Sequence, residues 1–184
     1  VAITRTDYTL FAPQDMLPED FPKNRVCRYS DINVYLSNID SDMRVWLCKS
    51  QGSYWMLKHL CKTPKLNFNQ TPIALMKAIK NNVEIKATKN AHLKDGVAVT
   101  TFIHWVKNNI GKVPMSELSA SDFLKNCRKK QAGYKEPSFT TISGYNSNGA
   151  IIHYTPTVSS NATLESKGFL LVDSGGQYSD GTTD

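Results

Sequence analysis

The spacing of apolar positions changes several times along the chain, and each change marks an element. Val1-Ala2-Ile3-Thr4 and Tyr8-Thr9-Leu10-Phe11 are β-prone runs flanking Arg5-Thr6-Asp7, the pattern of a hairpin. Pro13, Pro18 and Pro22 make residues 12–24 a loop. Ile32, Tyr35, Leu36 and Ile39 fall at helical spacing within Tyr29 to Ile39. Met43 to Lys49 reads as a short buried strand. Tyr54 to Cys61 reads as a helix that opens after Gly52 and is ended by Pro64. Thr71-Pro72 is a helix start, a capping residue followed by a proline at the first helical position. That helix is expected to reach Lys80, with Ile73, Met76 and Ile79 inward.

A longer helix is expected from about Val83 to Ile110, with Val99, Phe102, Ile103, Val106 and Ile110 as its core stripe. Gly96 inside it is a tolerated interruption costing about 1 kcal/mol against Ala. Gly111 and Pro114 close this region. Ser119-Ala120-Ser121-Asp122 resembles a capping box ahead of a helix with Phe123, Leu124 and Cys127. After Pro137 the period shortens. Ser138 to Ile142, Ala150 to Tyr154 and Gly168 to Asp173 read as strands separated by Gly, Ser and Asn. The order of strands and helices, then helices, then strands predicts a mixed α+β chain of two packed units with a junction near Asn69–Pro72.

Composition narrows the class without naming a function. Of 184 residues, 40% are hydrophobic and 21% charged, which excludes a disordered or membrane-embedded chain. The net charge of +6 raises nucleic acid as a partner. The lysines from Lys58 to Lys94 are strung along one stretch, however, which is the pattern of a solvated helix face. No nucleic-acid partner is expected, and no apolar run reaches the ~18 residues of a membrane span. Cys27, Cys48, Cys61 and Cys127 form no CxxC or zinc pair and read as buried or half-buried thiols. The start lacks an initiator Met and any signal-peptide pattern, so the N-terminus is expected to be processed or cut.

The candidate chemistry lies between Gly149 and Asp184. Leu171-Val172-Asp173 ends an apolar strand in a carboxylate, and Asp184 follows eleven residues later. A reversal near Tyr178–Ser179 would set the two aspartates facing each other across an antiparallel pair. Like charges so placed repel, and a divalent cation relieves the repulsion. Spacing alone favours the plainer reading, in which Asp173 caps a turn and Asp184 sits in a solvated loop. His153, in Ile151-Ile152-His153-Tyr154, reads by itself as a satisfied core histidine.

The whole string decides between these readings. Gly149-Ala150-Ile151-Ile152-His153-Tyr154-Thr155-Pro156, Leu171-Val172-Asp173-Ser174-Gly175-Gly176-Gln177-Tyr178 and Asp180-Gly181-Thr182-Thr183-Asp184 closely resemble the Xaa-Pro aminopeptidase (aminopeptidase P) family. Met76 to Asn81 and Ala91 to Ala98 look like the opening helices of its catalytic domain. Val45-Trp46 and Ser53-Tyr54 fit the end of the preceding domain in its larger members. The likeness is dense from about residue 71 and weak before residue 40. It implies that residues 1–70 end a creatinase-like α/β domain and that residues 71–184 open a pita-bread metallopeptidase domain. It also implies two divalent metal ions, usually manganese, held by two aspartates, a histidine and two glutamates. Asp173 falls at the first aspartate position, on one metal. Asp184 falls at the second, bridging both. His153 falls at the substrate-contacting histidine.

The family's metal-binding histidine and two glutamates have no counterpart up to Asp184, and His59, His92 and His104 fall in helices before the strand region. The chain is therefore expected to be an internal piece, inactive alone, with the remainder of the same protein as its partner. Peptides with proline at the second position are the implied substrates, a homodimer the implied assembly and the cytoplasm the implied setting. The alternatives are a catalytically silent pita-bread binding module and a prolidase-type relative.

Overall fold

The computed structural model describes residues 1–62 and 64–184. It divides into two compact units, Val1–Ile79 and Lys80–Asp184, each with helices and strands. The mixed class expected from the sequence is thus present.

In the first unit the hairpin forms, with β1 (Ala2–Ile3) antiparallel to β2 (Tyr8–Phe11). A short strand not foreseen from the pattern, β3 (Val26–Cys27), adds to β2 in parallel. Helix α1 (Ile32–Ser37) buries Leu36, and Tyr35 packs edge-on to Phe11 with ring centroids 5.2 Å apart. Strand β4 (Arg44–Leu47) pairs in parallel with β5 (Lys65–Phe68) across helix α2 (Tyr54–Lys58). Two expectations fail here. The β4 strand is not buried, since Arg44 and Trp46 are exposed. Helix α3 (Pro72–Ala78) starts where Thr71 accepts a bond from the Ile73 N–H, but Ile73, Met76 and Ile79 are exposed, not inward.

The second unit is built on α4 (Asn82–Asn109) and α5 (Glu117–Lys129). Asn81 caps α4 by accepting from the Val83 and Glu84 N–H groups, while Glu84 accepts from the Asn81 N–H. Gly111, at φ +75°, follows its end. The box that opens α5 is Ser116 with Ser119, so the helix begins before the Ser119–Asp122 segment that suggested it. Phe102, Met115, Ala120, Leu124, Tyr145 and Leu164 form the core, with Val99, Val106 and Ile110 against it. Trp105 stacks on Phe123 with centroids 3.9 Å apart. Ile103, expected in the stripe, is largely exposed.

Two small sheets lie with these helices. Strand β7 (Ile142–Tyr145) pairs antiparallel with β8 (Leu170–Asp173). Strand β9 (Gly176–Tyr178) lies between β6 (Tyr134–Pro137) and β10 (Gly181–Thr182). The strand expected over Ser138–Ile142 is therefore mostly the link from β6 to β7. The one expected over Ala150–Tyr154 is instead part of an irregular loop. Its local apolarity is overridden by tertiary hydrogen bonds described below. Strand β10 reaches α4 closely, because a Cβ at Gly181 would meet Ala91 Cβ at 3.1 Å. Among the described residues no helix is long and apolar enough to cross a membrane, and all four cysteines are free, Cys61 being exposed.

Candidate functional site

Asp173 ends β8 in one sheet, and Asp184 lies two residues past β10 of the other. They are not cross-strand partners: Asp173 is opposite Ile142, and the reversal that carries Asp184 back runs between β9 and β10. What joins them is a close backbone approach. Thr183 N–H donates to the Gly176 carbonyl at 3.0 Å, and Gly176 N–H donates to Thr183 Oγ1 at 2.9 Å. A Cβ at Gly175 would sit 2.0 Å from the Thr183 carbonyl oxygen, so only glycine admits this contact. Ser138 Oγ donates to the same carbonyl at 2.9 Å.

The result is a cleft of about 560 Å³ lined by Asp95, Asp173, Ser174 and Asp184, with Phe102, Val106, Leu170 and Val172 as an apolar wall. That is a size typical of small-molecule sites. Asp173 and Asp184 are both exposed. His153 does not line the cleft. It sits on the loop after β7, exposed, in a left-handed turn at φ +57°, not in an apolar strand.

The buried carboxylates are others, and pattern reading missed both. Asp95 accepts from Arg128 Nε at 2.7 Å, Arg128 Nη2 at 3.1 Å and the Tyr178 hydroxyl at 2.8 Å. Burial pushes its pKa up, but these bonds and the Arg128 charge outweigh that and hold it below the ordinary value. Burial and the Asp95 carboxylate push the Tyr178 hydroxyl upward, so it stays a donor. Glu117, fully buried at the head of α5, accepts from Tyr145 N–H at 2.6 Å, the Tyr154 hydroxyl at 2.8 Å, Ala162 N–H at 2.9 Å and Asn148 Nδ2 at 3.0 Å. Again burial raises its pKa, and the Ala162 and Tyr145 amides with Tyr154 and Asn148 bring it net lower. Through these bonds Glu117 pins both ends of the irregular loop that carries His153.

A signal for Asp95 was available. It lies four residues from Ala91 and three from Ala98, on the face of α4 that also buries Phe102. A carboxylate on such a face must find a partner. Glu117 likewise stands on the buried face of α5 with Ala120, Leu124 and Cys127.

Asp173 and Asp184 offer hard oxygen donors suited to a divalent cation. Asp95 shares the cleft, with both oxygens hydrogen-bonded, Oδ1 to Arg128 and Tyr178 and Oδ2 to Arg128. Among the described residues no three His, Cys, Asp or Glu side chains converge as a metal cluster. The donor set of two carboxylates fits such an ion in chemistry.

A cleft holding two hard oxygen donors is a candidate cation site. Residues 86–184, more than half the chain, match the model of metallopeptidase family M24, and the chain belongs to that family. It is 35% identical over 193 residues to the Xaa-Pro aminopeptidase ApepP of Drosophila melanogaster, covering 99% of this chain and 31% of the fly protein. It is 37% identical over 195 residues to Xaa-Pro aminopeptidase 1 of Dictyostelium discoideum, covering 100% of this chain and 30% of that protein. Among solved structures it resembles the X-prolyl aminopeptidase of Caenorhabditis elegans, a cytosolic enzyme with a di-nuclear active site. The TM-score is 0.84 at 26% identity, over 94% of this chain and 30% of the worm enzyme. The chain thus spans under a third of the length of these relatives.

Proposed function

We propose that this chain is part of a two-metal Xaa-Pro aminopeptidase, which hydrolyses the bond between an N-terminal residue and a following proline. The observation that carries this reading is the convergence of Asp173 and Asp184 on one cleft within the segment that matches the family. The fly and slime-mould relatives, both Xaa-Pro aminopeptidases, support the proline specificity. In this reading residues 1–70 end a creatinase-like domain and residues 71–184 open a pita-bread domain. Asp173 would bind one divalent ion and Asp184 would bridge two, with manganese as the metal and the remaining ligands supplied by the rest of the protein. The cytosolic worm enzyme supports a cytoplasmic setting. A homodimer is the assembly proposed with it.

When bound, the two ions would supply a water of lowered pKa and polarise the scissile carbonyl. The chain's own residues prepare that chemistry. Asp173 and Asp184 would offer two carboxylates in the cleft, with the Gly175–Thr183 contact fixing the backbone beside them. His153 does not line the cleft and is assigned to substrate contact on the strength of its motif alone, the family position of a donor near the carbonyl oxygen on which charge develops. Its exposed ring, on a loop anchored by Glu117, is free to meet a peptide. The leaving nitrogen is proline's tertiary amide, which has no N–H to bind, so recognition falls on the carbonyl and the ring.

The test uses the full-length protein. Asp173→Asn and Asp184→Asn should each lower bound manganese by elemental analysis and abolish cleavage of an Xaa-Pro peptide. His153→Asn should retain the metal and cut turnover by about 10²–10⁴-fold. Asparagine is chosen because it tolerates the left-handed backbone that alanine does not. Cleavage restricted to dipeptides ending in proline would make the protein a prolidase-type relative. Metal-free, inactive full-length protein would make it a silent binding module.

A further inference from the structure

We propose that Arg128, acting with Asp95 and Tyr178, is the positioning unit for the Asp173–Asp184 pair. The inference rests on the metal site proposed above. It begins from a cost. Arg128 is 2% exposed, and burying a guanidinium with a carboxylate seldom stabilises a fold more than apolar side chains of the same volume would. The bonds made by this pair show what it does instead.

One guanidinium joins three segments. Its Nε and Nη2 hold Asp95, which ties α5 to α4. The same Nη2 donates to the carbonyl of Ser174 at 3.0 Å, and Ser174 directly follows Asp173. The backbone just after the first aspartate is thereby fixed to the helix pair. The second aspartate is referenced to the same carboxylate by another route. Tyr178 donates its hydroxyl to Asp95 Oδ1 and stands opposite Gly181, two positions into the hairpin whose return strand leads to Asp184. Both exposed aspartates are therefore indexed to one buried group.

Asp95 lines the cleft with them, but three of its acceptor positions are already engaged in this arrangement. Its Oδ1 accepts from Arg128 and Tyr178, and its Oδ2 from Arg128. It serves as a fixed point. Two like charges in one cleft repel, and buried donors that hold the flanking backbone set how much a cation gains by bridging them. The role needs a planar fork. A lysine at 128 would keep the charge facing Asp95 but, as a single point donor, could not span Asp95 and the Ser174 carbonyl together.

The test uses the full-length protein stripped of metal and titrated calorimetrically with Mn²⁺ alone, with circular dichroism and thermal melting of the metal-free form alongside. Arg128→Lys is expected to weaken Mn²⁺ binding by about 10–100-fold. Tyr178→Phe, which removes one hydroxyl and keeps the ring, is expected to weaken it by a smaller but measurable factor at an unchanged metal-free spectrum. Should Arg128→Lys fail to fold, Tyr178→Phe decides the matter alone. Asp173→Asn is the reference. Wild-type Mn²⁺ affinity in the Arg128 and Tyr178 variants, with or without a lowered melting temperature, while Asp173→Asn loses binding, overturns the positioning role and leaves the metal site standing. Wild-type affinity in Asp173→Asn as well overturns the metal site, and the positioning role with it.

Discussion

Glu117 shows how much one side chain can organise. A charged carboxylate with no exposed surface is tolerated only because four partners satisfy it, two backbone amides among them. Glu117→Gln exchanges one acceptor oxygen for an NH₂ that must face another donor. The expected cost is about 1–3 kcal/mol, read as a lower midpoint in urea at pH 7. The same residue predicts a pH dependence. In the folded chain the carboxyls of Glu117 and Asp95 lie below their ordinary values of 4.5 and 3.8. Their stabilisation is thus fully present above those ordinary values and is lost as pH falls through the lower folded ones. An acid titration of stability should fall below about pH 5 in the wild type and fall less steeply in Glu117→Gln. An identical acid limb in the variant would remove Glu117 from the titrating set. His153 belongs to this scale too. Its motif marked it from the sequence, whereas its left-handed backbone, which governs which substitution tests it fairly, did not show there.

Among elements, helices were more legible than strands. Thr71 before Pro72 marked α3 correctly, because a cap is local chemistry: a side-chain oxygen meets an N–H two or three residues on. The long helix after Asn81 was foreseen to within a residue or two at each end, and its Phe102 stripe is core. Asn81 closes a reciprocal box with Glu84, so Asn81→Ala should cost about 1 kcal/mol. Hydrogen exchange should show the loss as faster exchange confined to the first turns of α4. Uniform acceleration through the second unit would show that the cap supports more than its own helix. Strands fared differently. Ala150–Tyr154 has the composition of a strand, but Tyr154 turns its hydroxyl to Glu117 and Ser160, and the segment becomes a pinned loop. The pairing of β2 with β3 and of β4 with β5 depends on contacts across intervening chain that no local pattern encodes.

At the scale of the whole molecule, residues 1–184 contribute two carboxylates to the proposed metal pair, and the described residues hold no third ligand beside them. Two carboxylates leave most positions of a hard cation to water, as in weak sites. Residues 1–184 prepared alone should therefore bind no stoichiometric pair of Mn²⁺ and should not cleave an Xaa-Pro peptide. Elemental analysis beside a peptide assay checks this, and two equivalents of metal together with activity would show that the ligand set has been misassigned. The sequence by itself determined the mixed class, the Thr71 cap, the extent of the long helix and the family, and pointed to the two aspartates, because caps, periodicity and motifs are written in neighbouring residues. Tertiary structure alone decided that Asp173 and Asp184 share one cleft beside the Gly175–Thr183 contact, not across one strand pair, and that Asp95 of a buried Asp95–Arg128–Tyr178 cluster lines the same cleft. The first depends on a backbone contact across the base of the β9–β10 hairpin, and the second on side chains 33 and 83 residues apart, which only the packing of α4, α5 and that hairpin brings within hydrogen-bond reach.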